Sequence, residues 1–418
     1  KGKSEGSTDR LVLISEAGGI TPLITMLFAD NNLARENAAG ALMHLALDPQ
    51  NAIAIAKSNG ISPLVTLLDD GTEQAHKHAA EAIQRLASGN EDNQTQSAKH
   101  LVALLASESA GAQCRTADVL STLAAKNKNS PVIIVNAGAI SPLVSLLRSG
   151  MLDVKLSVAD ALKNLSLNSP ETQLAIATGV VGLLGAGSTE TQEHVTRLLL
   201  LLVRDRENCI AVSKTTAIPR LTTQLQSSSN EAQELSAAVL AQLAAASDGN
   251  VESIATSGAT KPLVSLLGSV SAVAQAHIGA ILSNLARIST NNQMEVVAEG
   301  GIEPLVAILA TEQLQTPAQA TSQHTKAKEE LTAAKAEAAG ALLYLALEQP
   351  DTGKVIANAD AIRLLVDLLH ENVAHACIKA AGAITALAKT SRDNQDTVER
   401  NKGIHKLVQL LDPPTSND

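Results

Sequence analysis

Apolar and polar residues alternate in blocks along the chain with a period of about 40 residues, the spacing of a stacked helical repeat. Each block holds a compact phrase such as Gly60-Ile-Ser-Pro-Leu-Val-Thr-Leu-Leu, and an alanine-rich stretch such as Glu36-Asn-Ala-Ala-Gly-Ala-Leu-Met-His-Leu-Ala follows each copy. Aligned on the phrase, Pro22, Pro63, His100, Pro142, Gly182, Arg220, Pro262, Pro304, Leu364 and Lys406 share one position. The block Asn51 to Ser88 predicts three helices. A short one from Asn51 ends at Asn59-Gly60, where Gly permits an abrupt turn. Ser62 then suits an N-cap and Pro63 the first helical position of the second helix. The third runs from Glu73 to Leu86, with Ala75, Ala79, Ala82, Ile83 and Leu86 on one buried face.

The predicted units are 8–49, 50–90, 91–128, 129–168, 169–207, 208–249, 250–290, 291–350, 351–390 and a partial 391–412. A polar segment at 1–7 precedes them and a tail at 413–418, opened by Pro413 and Pro414, follows. Three units depart from the pattern. In the third, polar Glu91 to Ser97 stands where a first helix is expected, which predicts a bend. In the fifth, Gly182, Gly185 and Gly187 weaken the second helix. The eighth carries an insertion at 311–328 without periodicity, expected as a mobile loop, with a docking or regulatory loop as the alternative. In the tenth, Ile404, Leu407, Val408 and Leu411 follow helical spacing and are expected to pack on the third helix of unit nine, against Ile384 and Leu387.

These residues resemble the armadillo repeat family, whose second helix has the form Gly-Ala-Ile-Pro-Pro-Leu-Val-x-Leu-Leu and whose third ends Ala-Leu-x-x-Leu-x-x-Leu-Ala. Gly138-Ala-Ile-Ser-Pro-Leu-Val-Ser-Leu-Leu and Gly301-Ile-Glu-Pro-Leu-Val-Ala-Ile-Leu are near matches, and the resemblance spans nearly the whole chain. It implies an all-α fold, a right-handed alpha-alpha superhelix or armadillo repeat solenoid. The two-helix HEAT repeat lacks the short first helix and Gly junction read here. By the same resemblance the third helices line a concave groove that meets a partner. The row nearest the partner is then His44, Arg85, Thr122, Asn164, Leu201, Gln242, Asn284, Tyr344 and Ala386. One turn earlier stand Glu81, Asp118 and Asp160. Stacked helices lie about 10 Å apart, so these three form an acidic ladder suited to Lys or Arg on an extended segment.

The implied function is a protein interaction scaffold or adaptor, without catalysis of its own. Two alternatives stand beside it: a nuclear transport adaptor, and the substrate-recognition arm of a larger multidomain enzyme such as a ubiquitin ligase. Nuclear import receptors of this fold resemble one another in pairing the groove Asn with a Trp one turn earlier. Here only Asn164 and Asn284 match, and there is no Trp.

Composition narrows the chemistry. Hydrophobic residues make up 45% of the chain, yet there is one Phe, one Tyr and no Trp, so the core must be aliphatic. A net charge of -10 opposes nucleic-acid binding, which draws on clustered cations and stacking aromatics. Cys114, Cys209 and Cys377 are odd in number and widely spaced, which points to a reducing intracellular compartment, cytoplasmic with the nucleus as an alternative. The apolar run Leu198 to Val203 is far short of a membrane span. His76 and His78 point to different helical faces, no dinucleotide or phosphate loop is complete, and no Gly-x-Ser-x-Gly occurs. No cofactor or metal is therefore expected. The helix Val195 to Val203 is apolar nearly all round, which makes Leu201 either a hydrophobic anchor for a partner or a self-association contact, with burial under a neighbouring helix as the alternative.

Overall fold

The computed structural model describes residues 5–126, 128–149, 151–166, 170–185, 188–311, 322–371 and 373–411. Among them are twenty-seven α-helices, one short 3₁₀ helix and no strand. The protein is an all-α armadillo-type solenoid, and it falls into two compact units, Lys1–Leu198 and Leu199–Asp418. Each is built in the same way.

The second repeat gives the local rules. Its first helix, Pro49–Lys57, starts under Asp48, whose carboxylate accepts from the Gln50 and Asn51 amides at 3.0 and 2.9 Å. It ends at Asn59, which takes the left-handed conformation at φ 60°, and the Gly60 amide then donates to the Ile55 carbonyl at 2.9 Å. Ser62 does not cap the second helix, contrary to the sequence expectation. That helix, Ile61–Thr66, begins directly after Gly60, whose backbone is already right-handed helical, so Ser62 lies inside it. Gly60 is needed for space: a Cβ there would meet Ile55 Cγ2 at 2.6 Å. The third helix, Glu73–Leu86, is capped by the Thr72 hydroxyl and buries Ala75, Ala79, Ala82, Ile83 and Leu86, the five positions read from the periodicity.

The departing repeats differ from expectation in instructive ways. In the third, Glu91 to Ser97 is helical. With no Gly junction to break it, Glu91–Leu104 is one continuous helix under an Asn90 cap, and it buries Asn93, Ser97, Ala98 and Leu101. In the fifth, the helix Pro170–Val180 runs into a 3₁₀ turn, Val181–Gly185, in place of a second helix, as the glycines there predict; Gly187 lies outside the described residues. In the eighth, the loop expected over 311–328 holds in part of its length only. Ser322–Ala346 is a single helix of 25 residues, so residues 322–328 extend the third helix, and 312–321 lie outside the described residues. The first helix, Glu5–Glu16, likewise reaches into the segment expected to be polar tail. In the tenth repeat the helices Arg392–Arg400 and Gly403–Leu411 are formed, but Ile404 and Val408 are exposed. The Gly403–Leu411 helix packs on the second helix of repeat nine, Ala361–Leu369, because second helices stack on second helices; the expected contact with the third is not made through these two residues. Pro413 and Pro414 lie outside the described residues.

The core is filled by Leu, Ile, Val and Ala, while Phe28 is exposed and Tyr344 half-buried. Burial of a Leu or Ile side chain contributes about 1.5–3 kcal/mol, so many narrow aliphatic layers add to a stable stack. Several layers are tied to the next by a polar bond. Asn93, Asn208, Asn250 and Asn394, near the start of first helices, are buried and donate to the Leu86, Leu202, Leu243 and Leu387 carbonyls at 3.0, 2.9, 2.8 and 2.9 Å. These carbonyls lie in the last turn of the preceding third helices, where acceptors lack an intrahelical amide, and each Asn supplies a donor, beside the Asp205 amide at Leu202 and the Thr390 hydroxyl at Leu387. Repeat four has Ser130 here, buried and too short, and its hydroxyl makes no hydrogen bond among the described residues. Asn250→Ala is accordingly expected to cost about 1–3 kcal/mol by stranding the Leu243 carbonyl. Ser130→Ala should cost much less. Thermal denaturation of the two variants measures the difference, and equal losses would remove this role for the Asn.

Candidate partner-binding face

Third helices pack side by side within each unit. In the first unit Asn32–Leu45 lies against Glu73–Leu86, which touches Ala110–Lys126, which packs on Leu152–Ser166. In the second unit the order is Asn230–Ala246, Ala272–Ile288, Ser322–Ala346 and Ala374–Thr390. Thr189–Leu202 lies at the division of the two units.

Most of the sequence-predicted row is at least partly exposed on these helices. His44, Glu81, Asp118, Asp160, Leu201 and Gln242 are exposed; Arg85, Thr122, Asn164, Asn284 and Tyr344 are half-buried; Ala386 is buried. Leu201 is thus only partly covered, with 38% of its surface exposed. Several members are already engaged. One Arg85 nitrogen donates to the Met43 carbonyl at 2.7 Å and another pairs with Glu81 one turn away. Thr122 donates to the Asp118 carbonyl at 2.8 Å, Asn164 to the Ser121 hydroxyl at 2.8 Å, and Asn284 to the Ala280 carbonyl at 3.0 Å.

These contacts divide the acidic ladder. Glu81 is neutralised by Arg85. Among the described residues neither Asp118 nor Asp160 makes an ion pair, so both carboxylates are solvated and available. Asp118 and Thr122 border an open cleft of about 290 Å³ between the third helices of repeats two and three, with Val119 and Ala80 as its apolar floor and Arg115 and His76 at its margin. Gln84, on the cleft lining, accepts from Lys126 at 2.8 Å. The cleft places an apolar floor beside one carboxylate, with the Lys77 and Arg115 cations and Glu73 also on its lining.

Charges on the second unit's third helices are mostly compensated. Glu337 accepts from His375 Nε2 at 2.8 Å and from Lys379 Nζ at 2.5 Å. Lys379 lies across Gly340, whose missing Cβ makes room for it. Lys335 and Glu371 form a buried pair at 3.5 Å. Arg115, Glu337 and Lys379 went unnoticed in the sequence, although the same alignment carried one more helical turn toward the N-terminus of each third helix brings out His78, Arg115, Ser157, His277, Glu337 and Lys379.

Two histidines on these helices are held neutral. Burial, aided by the nearby Arg115 guanidinium, pushes the His76 imidazole below its usual range. Burial does the same to His277, against the opposing influence of Glu234 and Glu337. A base whose folded pKa lies below its unfolded value adds stability that is present above the unfolded pKa, near 6.5, and is lost as pH falls through it. The melting temperature is therefore expected to fall between about pH 7 and pH 5, and less steeply in His277→Gln. Parallel pH profiles of the two proteins would refute this.

Among the described residues no three His, Cys, Asp or Glu side chains are grouped to hold a metal ion, and no single helix is long and apolar enough to cross a membrane. A family model for the Armadillo/beta-catenin-like repeat matches residues 48–88 and 127–167, the second and fourth repeats. The chain carries armadillo repeats. An Arabidopsis thaliana relative, Protein CELLULOSE SYNTHASE INTERACTIVE 2, is 31% identical over 176 residues, which is 39% of this chain. The chain spans only 8% of that relative's length. Among solved structures, the crystal structure of an engineered protein is similar over 95% of both chains, with a TM-score of 0.66 and 26% identity.

Proposed function

We propose that this armadillo-repeat protein is a non-catalytic scaffold that holds an extended, basic segment of another protein along its third helices, with the tightest grip at repeats three and four. The observation that carries the reading is the pair of uncompensated carboxylates, Asp118 and Asp160, on a face whose other charges are largely paired. Leu201, exposed on the same row, is the hydrophobic anchor of this reading or, in its second form, a contact between two copies. The name of the Arabidopsis relative describes a protein that interacts with an enzyme, which accords with partner binding as a use of such repeats. The three free cysteines, two of them buried, suit a reducing intracellular compartment.

A nuclear transport adaptor is disfavoured because there is no Trp to flank Asn164 and Asn284, and the Asn164 amide is already bonded to Ser121. Fluorescence titration with an extended peptide bearing Lys and Arg at alternate positions tests the proposal. Binding should weaken steeply with added salt, and the same peptide with Glu at those positions should not bind. Equal affinity for both peptides would overturn it.

A further inference from the structure

Where the second helix gives way to the turn before the third, the repeat sets one aligned residue in solvent. In repeats two, three, six, seven, eight and nine it is Asp69, Ala106, Gln226, Gly268, Ala310 and His370, all of them exposed. In repeat one it is Phe28, 71% exposed and the one Phe of the chain. The exposure belongs to the turn, and the ring fills no core of its own chain.

Phe28 borders a cleft of about 400 Å³ between repeats one and two, whose lining also holds Asp30, Arg35 and Asp70. Arg35 is already committed: Nη1 donates to Asp70 at 2.9 Å, a second nitrogen pairs with Asn32, and Nε is buried. The Arg35 guanidinium fixes the Asp70 carboxylate at the cleft and holds its pKa below the usual carboxylate range. Asp30 is exposed and makes no ion pair among the described residues. Two carboxylates thus face one guanidinium, and the cleft is negative. The corresponding cleft between repeats six and seven is a control within the same chain. There Gln226 stands for Phe28, Gln233 for Arg35, Ser228 for Asp30 and Ser269 for Asp70, and Lys261 joins the lining. The fold makes both clefts, but only the residues of the first give it an aromatic face and a negative charge.

We infer that the cleft between repeats one and two binds an arginine side chain of a partner protein, with the guanidinium stacked on Phe28 and paired with Asp30 and Asp70. A planar guanidinium meets both features at once, since it is attracted to the face of an aromatic ring and donates two parallel hydrogen bonds to a carboxylate. A lysine ammonium answers the charge but has no flat face to lay on the ring. The site does not involve Asp118 or Asp160, and it stands or falls separately from the reading of the third helices.

Because the chain has one Phe, biosynthetic replacement by 4-fluorophenylalanine gives a single fluorine resonance at the cleft. Titration with the peptide acetyl-Gly-Arg-Gly-amide should shift that resonance to saturation, with a midpoint of about 1–10 mM for so small a ligand. The same peptide with citrulline, the neutral isostere of arginine, should leave it in place. Asp30→Asn, at an exposed position, should keep its helical content and raise the midpoint about fivefold or more. Asp118→Lys combined with Asp160→Lys should leave the midpoint unchanged, which separates this site from the third-helix carboxylates. No saturable shift up to about 50 mM, an equal midpoint for the citrulline peptide, an unchanged midpoint in Asp30→Asn, or loss of the shift in the Asp118 and Asp160 variant would overturn the inference.

Discussion

Reversing both Asp118 and Asp160 to Lys is expected to weaken binding of a basic peptide by tenfold or more at low salt, with the helical content unchanged. Both carboxylates are exposed and neither is tied into an ion pair among the described residues, so their removal leaves no buried charge without a partner. Exposed charges contribute little to folding, whereas a bound cation meeting two new positive charges is repelled directly. The loss should shrink as salt rises. Glu81→Lys offers the contrast: Glu81 is already paired with Arg85, so its reversal should cost the peptide less. Fluorescence anisotropy of the three proteins with one labelled peptide orders these effects, and an unchanged affinity in the double variant would remove the carboxylates from the binding face.

Gly60→Ala is expected to lower stability by about 1–3 kcal/mol, the cost of forcing an extra carbon into a packed interior. The new Cβ would sit 2.6 Å from Ile55 Cγ2 and 2.9 Å from the Ile55 carbonyl oxygen, and a carbonyl held in a hydrogen bond yields little. Gly258 is a junction glycine of the other kind. It has φ +75° and open space where a Cβ would be, so the penalty at Gly258→Ala comes from the left-handed backbone alone. Asn separates the two causes, because it tolerates that conformation, as Asn59 already does at φ 60°. Gly258→Asn should recover stability relative to Gly258→Ala, while Gly60→Asn should be worse than Gly60→Ala. The same order at both positions in thermal denaturation would contradict this division.

Much of the fold was legible because the repeat enforces its own register. Ala75, Ala79, Ala82, Ile83 and Leu86 could be read as one buried face from spacing alone, since a 3.6-residue period has one solution there. Where local signals conflicted, the tertiary context decided. Ser62 looked like a cap, but the chain turns one residue earlier through Asn59, and Gly60 is already helical. The polar run from Glu91 looked like a missing helix; its polar residues include Asn93, which is buried to bond the Leu86 and Ala52 carbonyls, a role that hydrophobic periodicity does not register. The pairing of Arg85 with Glu81 was readable from their four-residue separation. Its consequence, that only Asp118 and Asp160 remain free, depends on which neighbours approach across the helix stack. Ile404 and Val408 were expected against the third helix of repeat nine but are exposed, because spacing fixes which residues share a face and leaves open whether a neighbour covers it.

The central claim, that the third helices of the first unit hold the partner, is tested most directly by hydrogen exchange of the protein with and without a saturating Lys- and Arg-bearing extended peptide. Protection gained in Ala110–Lys126 and Leu152–Ser166, with second helices such as Ile61–Thr66 and Ile140–Ser149 unchanged, is the predicted result. Protection confined to the second helices, or no change anywhere on the first unit, would contradict it.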